Sequence, residues 1–177
     1  MASRPWQPKG LCTMAAKEKT LNDLFVEALK DVYHAEKQIL RALPKMAKAA
    51  ESEELRQAFQ THREETERQV ERLEEVFELV GKPARGKPCQ AMQGIIEEGK
   101  EVMEDFADSE ALDAGLIDAA QAVEHYEICR YGTLRSWAMQ LGMRDAARLL
   151  EQTLEEEKKT DELLSKLAES AVNQKAA

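Results

Sequence analysis

Four stretches of this chain place apolar residues every three or four positions over many turns, and only α-helices packed against one another can hide such stripes from water. The first carries Phe25, Leu29, Val32, Ile39, Leu43, Met46 and Ala50. The third carries Leu116, Ala120, Tyr131, Leu134, Ala138 and Leu141, and the fourth Ala147, Leu150, Leu154, Leu164 and Ala168. The second, less regular, uses Leu55, Phe59, Leu73, Val76 and Val80. No alternating strand pattern competes, and a composition that is 33% charged and 5% aromatic, with 8 glycines and 5 prolines, suits long helices. A chain of 177 residues has room for one domain with a sizeable core, so the expected fold is all-α, a four-helix bundle.

Local signals set the boundaries. Helix A is expected from Thr20, an N-cap with Asp23 as its capping partner, to about Ala50, with Pro44 bending it near Leu40. Ser52 should cap helix B, whose first turn holds Glu53 and Glu54 where the helix dipole favours acids, and which reaches Val80. Gly81, Pro83, Gly86 and Pro88 mark a loop. A shorter amphipathic segment from Cys89 to Asp105 reads as one additional, crossover helix. Helix C is expected from Ser109 to a C-cap at Gly142, and helix D from Met143 to Val172. The bundle domain then covers 18–172. Residues 1–17 read as a disordered extension, or a leader before an alternative start at Met14, and 173–177 as a disordered tail.

The stripes are interrupted by acids. Glu36 breaks the seam of helix A, Glu124 and Glu127 that of helix C, and Glu157 and Asp161 that of helix D. Helix B has His62, then Glu65 or Thr66, then Gln69 at mid-seam. Counted from the hairpin turns at 1.5 Å per residue, Glu36 and Glu65 both stand roughly 20–23 Å up. By the same count Glu127 and Glu157 lie at about 22 Å, and Glu124 and Asp161 at about 28 Å. Four helices therefore bring acids to one slab. Ionised carboxylates there would cost several kcal/mol each and repel one another, unless cations, protons, basic partners or water compensate. A pair of metal ions held by Glu36, His62, Glu65, Glu124, Glu127, Glu157 and Asp161 is the economical solution.

Other features exclude functions. A net charge of −9 opposes binding to nucleic acid or an anionic membrane, and no apolar run approaches the length of a membrane span. The N-terminal stretch lacks the apolar core of a signal peptide, so a cytoplasmic location is expected. Cys12, Cys89 and Cys129 are too few and scattered for a disulfide framework and read as reduced thiols. His34 and His125 are turned off the seams and are weak ligand candidates, while Tyr33 and Tyr126 are candidate hydrogen-bond donors to ligating carboxylates.

At Tyr33–Gln38, His62–Thr66, Cys89–Met92, Val123–Ile128, Tyr131–Leu134 and Thr153–Glu157 the chain resembles the YciE/YciF-type ferritin-like stress proteins, over about residues 18–172. The resemblance implies a ferritin-like bundle related to rubrerythrins, a homodimer, and two iron or manganese ions. It also implies a role in stress response with ferroxidase-like or peroxide-consuming chemistry on dioxygen or hydrogen peroxide. One departure is plain. The wider di-iron pattern has Glu-x-x-His on two helices; this sequence has none, and offers His62-x-x-Glu65 in reverse order. An oxygen-rich site favours manganese or a weakly held iron pair. The alternative is a non-enzymatic helical stress protein with a structural or vacant metal site, acting through dimerisation or partner binding.

Overall fold

The computed structural model describes residues 18–177, and the extension expected at 1–17 lies outside the described residues. The elements are α1 (Leu21–Ala49), α2 (Glu53–Leu79), α3 (Gln90–Asp105), α4 (Leu112–Gln140) and α5 (Arg144–Leu167). A π-turn segment, Ala168–Val172, and a last turn of helix, α6 (Asn173–Ala176), follow. No strand occurs among the described residues. No helix among them is long and apolar enough to cross a membrane.

The cap chemistry works as the sequence indicates. Thr20 Oγ1 accepts from Asp23 N–H at 3.2 Å while the Asp23 carboxylate accepts from Thr20 N–H at 2.9 Å. Ser52 Oγ accepts from Leu55 N–H. Pro44 sits inside α1 without ending it. Gly142, at φ 75°, supplies the left-handed residue that closes α4. Two boundaries differ. Helix C begins at Leu112, not Ser109, because Ser109 is used in a local turn: its hydroxyl accepts from Ala111 N–H, and its carbonyl from Leu112 N–H. The tail expected to be loose from 173 is instead helical to Ala176. Val172 is buried there, and Lys175 Nζ lies 2.7 Å from Glu51 Oε2.

Contacts between elements define the arrangement. The helices α1, α2, α5 and α4 touch in that cyclic order, and α3 lies on α1 and α4. The connection after α2 doubles back along α1, with Lys87 N–H donating to Lys30 O and Cys89 N–H to His34 Nδ1. Then α3 runs antiparallel to α4: Cys89 lies by Tyr126, Gly99 by Ala119 and Val102 by Gly115. At Gly115 the helices are so close that a Cβ would sit 2.6 Å from Val102 Cγ1. The chain therefore crosses the whole length of the bundle before α4 starts, and every neighbouring pair in the ring is antiparallel. Covered by α3 as well, α4 buries Ile117 and Val123 beside its seam.

The apolar core is in two parts. One half, with Phe25, Leu29, Phe77, Leu134 and Leu150, lies toward the start of α1; the other, with Ile39, Leu43, Phe59, Leu116 and Leu164, lies toward its end. Between them are the buried polar side chains Glu36, His62, Thr66, Gln69, Glu124, Glu127, Thr153 and Glu157.

The second hairpin is tied to the first by Asp113, a buried acid whose two oxygens accept from Glu51 N–H and Ser52 N–H at 2.8 Å each. Charge-assisted bonds of this kind are worth about 1.5–3 kcal/mol, less where water can replace them. Asp113→Ala is expected to lower unfolding stability by about 2 kcal/mol in urea melts, with an unchanged melt counting against this tie.

Candidate metal centre

Each acid in the polar layer arrives there through its helix period. Glu36 stands between Val32 and Ile39 on the buried stripe of α1, Glu124 and Glu127 between Ala120 and Tyr131 on α4, and Glu157 after Leu154 on α5. All four carboxyl side chains are buried, with residue exposures of 0–1%, and His62 of α2 is 4% exposed. One ligand-type atom from each of His62, Glu124, Glu127 and Glu157 lies within 4.8 Å of the others. Two ligands at roughly 2.1 Å from one ion stand up to about 4.2 Å apart, so a contraction of a few tenths of an ångström closes this group on a cation. Glu36 extends the cluster beside Glu127 and accepts a hydrogen bond from Tyr131 Oη.

The hydrogen bonding is incomplete in a specific way. Nine buried side-chain nitrogen or oxygen atoms lack a hydrogen-bond partner among the described residues, and seven belong to these five residues. They are Glu36 Oε2, His62 Nδ1 and Nε2, Glu124 Oε2, both oxygens of Glu127, and Glu157 Oε2. His62 Nε2 does lie 3.2 Å from Glu124 Oε1, an ion-pair distance without hydrogen-bond alignment. Since buried polar groups are almost always satisfied, a concentration of orphans in one spot marks a place built for another partner.

Proton affinities follow from the same crowding. Burial pushes Glu36 up to about 7, against the pull of Tyr131 and His62. Burial, then repulsion from the other acids, raises Glu127 and Glu157 well above the usual carboxyl range. For His62 burial acts downward, but Glu124, Glu65 and Glu157 outweigh it and hold the imidazole well above its ordinary value.

The remaining expected residues stand apart. Glu65 is 29% exposed, its Oε2 3.9 Å from His62 Nδ1, and this contact holds its carboxyl low. The α2 stripe runs through Thr66, one residue on, which turns Glu65 to the rim. Asp161 is 24% exposed and faces away from the buried group, with Oδ1 2.9 Å from Gln121 Nε2 and 3.3 Å from His125 Nε2. One turn beyond Glu157 an α-helix has rotated about 40°, enough to swing Asp161 toward the flank of α4. Neither Tyr33 nor Tyr126 reaches the cluster: Tyr33 Oη donates to Glu74 Oε1 at 2.6 Å, and Tyr126 Oη to Asp31 Oδ2 at 2.8 Å. His34 lies on the α3 side and accepts from Cys89 N–H. Cys89 and Cys129 are free thiols.

Two supporting residues were not singled out from sequence. Tyr131, one turn after Glu127, orients Glu36. Gln69 Nε2 donates to Glu157 Oε1 at 2.5 Å and to Glu156 Oε2 at 3.1 Å, and Arg72 holds Glu156 from outside with two bonds of 2.8 and 2.9 Å. A polar residue at a seam position, as Gln69 is, was the available signal.

A family model described as a domain of unknown function, DUF892, matches residues 20–177. The chain belongs to the DUF892 family. Protein YciF of Escherichia coli strain K12 is 52% identical to it over 159 residues, spanning 89% of this chain and 96% of that protein. The crystal structure of that E. coli stress protein matches with a TM-score of 0.84 over 88% of this chain and 99% of YciF. YcfI from Rhodopseudomonas palustris, 44% identical, matches with a TM-score of 0.82 over 86% of this chain and 97% of its own. The resemblance carried by the sequence motifs is thus a true kinship, and it places the carboxylate layer inside a DUF892 domain.

In the metal-free protein, Glu36, Glu127 and Glu157 keep protons at pH values where the unfolded chain has released them. Their stabilising effect is full below the ordinary carboxyl value of 4.5 and is lost as pH rises through the raised folded-state values, which for Glu36 is about 7. His62 adds the same sign, its contribution fading as pH climbs above 6.5. The melting temperature of metal-free protein is therefore expected to fall between about pH 5 and 8, and Glu127→Gln to flatten that fall. A melting temperature that climbs across this window contradicts the buried-acid account.

Proposed function

We propose that this DUF892 domain is a ferritin-like di-metal carboxylate protein acting in stress response, with two iron or manganese ions held between α1, α2, α4 and α5. The observation that carries this reading is the set of seven orphaned atoms on Glu36, His62, Glu124, Glu127 and Glu157. Charge supports a pair of ions: four carboxylates around two divalent cations sum to zero when the imidazole of His62 is neutral, which makes deep burial tolerable. Glu127, both of whose oxygens are buried and without a hydrogen-bond partner, would offer two ligand atoms. Glu124, Glu157, His62 and Glu36 would supply the other ligands. Glu65, 3.9 Å from His62 Nδ1 at the rim, is the nearer of the two remaining acids, and Asp161 is engaged by Gln121 on the flank.

Bound ions of this kind supply open coordination positions and, for iron or manganese, electrons for exchange with dioxygen or hydrogen peroxide. The chain itself does three things. Tyr131 and Gln69 fix the carboxylates of Glu36 and Glu157. The apolar halves above and below keep these side chains buried, which strengthens the charge interactions in the layer. Glu36, with a proton affinity near neutrality, can accept or release a proton at its carboxyl oxygen. A homodimer, as the family resemblance implies, and a cytoplasmic location complete the proposal.

The single imidazole favours a second reading of the same residues, in which the ions are structural and the protein acts through partner binding. Loading metal-free protein with iron or manganese and counting ions by elemental analysis tests what the readings share. About two per chain are expected, falling by at least half in Glu127→Ala; clearly substoichiometric uptake overturns both. Ferroxidase and peroxide-consumption assays separate them, because Glu36→Ala and Glu127→Ala abolish activity under the first reading. Under the second there is no activity to lose.

A further inference from the structure

Between α1, α3 and α4 lies a partly enclosed cavity of about 230 Å³, walled mainly by hydrocarbon from Ile39, Leu43, Ile96, Met103 and Val123. Its inner end reaches His62 and Glu124. Arg41, Lys45 and Lys100 also border it. Lys100 is engaged by Glu97, with Nζ 2.5 Å from Oε2. Arg41 and Lys45 are exposed, hence at the mouth, and have no ion-pair partner among the described residues. On a chain of net charge −9, two uncommitted cations at the entrance of an apolar chamber are a selective combination. The hydrocarbon walls take an apolar body, and the cations take an anionic end.

Size narrows the occupant. An engineered apolar cavity of about 150 Å³ takes benzene, so one of about 230 Å³ has room for roughly nine or ten heavy atoms. That is far more than dioxygen or peroxide needs and too little for a long lipid chain. We propose that this cavity binds a medium-chain aliphatic carboxylate, its head between Arg41 and Lys45 and its chain directed along Ile39 and Ile96 toward His62. The site goes beyond the metal reading and does not depend on it, since none of its binding contacts requires an ion in the carboxylate layer.

Titrating the full chain with octanoate, by calorimetry and amide NMR, tests this. Saturation at one molecule per chain is expected, with resonance shifts centred on Ile96, Ala119 and Val123 and none from acetate. Arg41→Gln combined with Lys45→Gln is expected to weaken octanoate about tenfold, as loss of two exposed charge contacts implies, while leaving 1-octanol unaffected. Ile96→Trp, which fills the chamber, should abolish binding of both. Octanoate that fails to saturate, shifts resonances elsewhere, or binds the double charge variant with undiminished affinity overturns the proposal. Should Ile96→Trp not fold, the charge variant still decides, because both of its substitutions are on exposed positions.

Discussion

The structure turns on four carboxyl groups buried in one layer. Glu36, Glu124, Glu127 and Glu157 are placed where an ordinary bundle has leucine, and only one basic side chain, His62, is buried among them. Each charge taken out of water costs several kcal/mol, and mutual repulsion adds to that. Protons are one remedy and divalent cations another. Both would occupy the same layer and each would exclude the other, so the proton affinity of these acids would also set how tightly any metal is held.

The surroundings make sense as support for that layer. Large apolar residues on either side supply the burial that offsets its cost, and Tyr131, Gln69 and Arg72 restrict how far the acids can turn. Farther out, Asp113 clamps the α1–α2 turn to the start of α4, which fixes the two hairpins lengthwise. Sliding one helix by a single turn, about 5.4 Å, would bring a carboxyl into an apolar half. The polar layer therefore specifies which residues face each other along the bundle, as well as what they can bind.

Much of this was legible in the sequence because an α-helix converts spacing into direction. Nearly every seam position expected on α1 and α4 is buried, Glu36, Glu124 and Glu127 among them, and Glu157 is buried on the seam of α5, although the seams left out flanking core residues such as Val26, Ala35, Ile117 and Val123. Counting from the turns put these acids at similar heights. The same count failed to distinguish Glu65 from Thr66, which differ by 100° around α2, and it treated Asp161 as level with Glu124 although its rotation carries it to Gln121 and His125. Roles that depend on a partner helix were not readable. Tyr131 looked like packing, and nothing in the sequence singled out Asp113 until the facing elements were in place.

The long route taken by residues 80–111 separates the donors into two groups. Glu36 and His62 belong to the first hairpin, and Glu124, Glu127 and Glu157 to the second. The first group pairs an acid with a base; the second is three acids on two adjacent helices. The buried base that faces the second group, His62, therefore comes from the other half of the chain. In effect the molecule is a pair of complementary fragments joined by a tether, and the centre exists only once they have met.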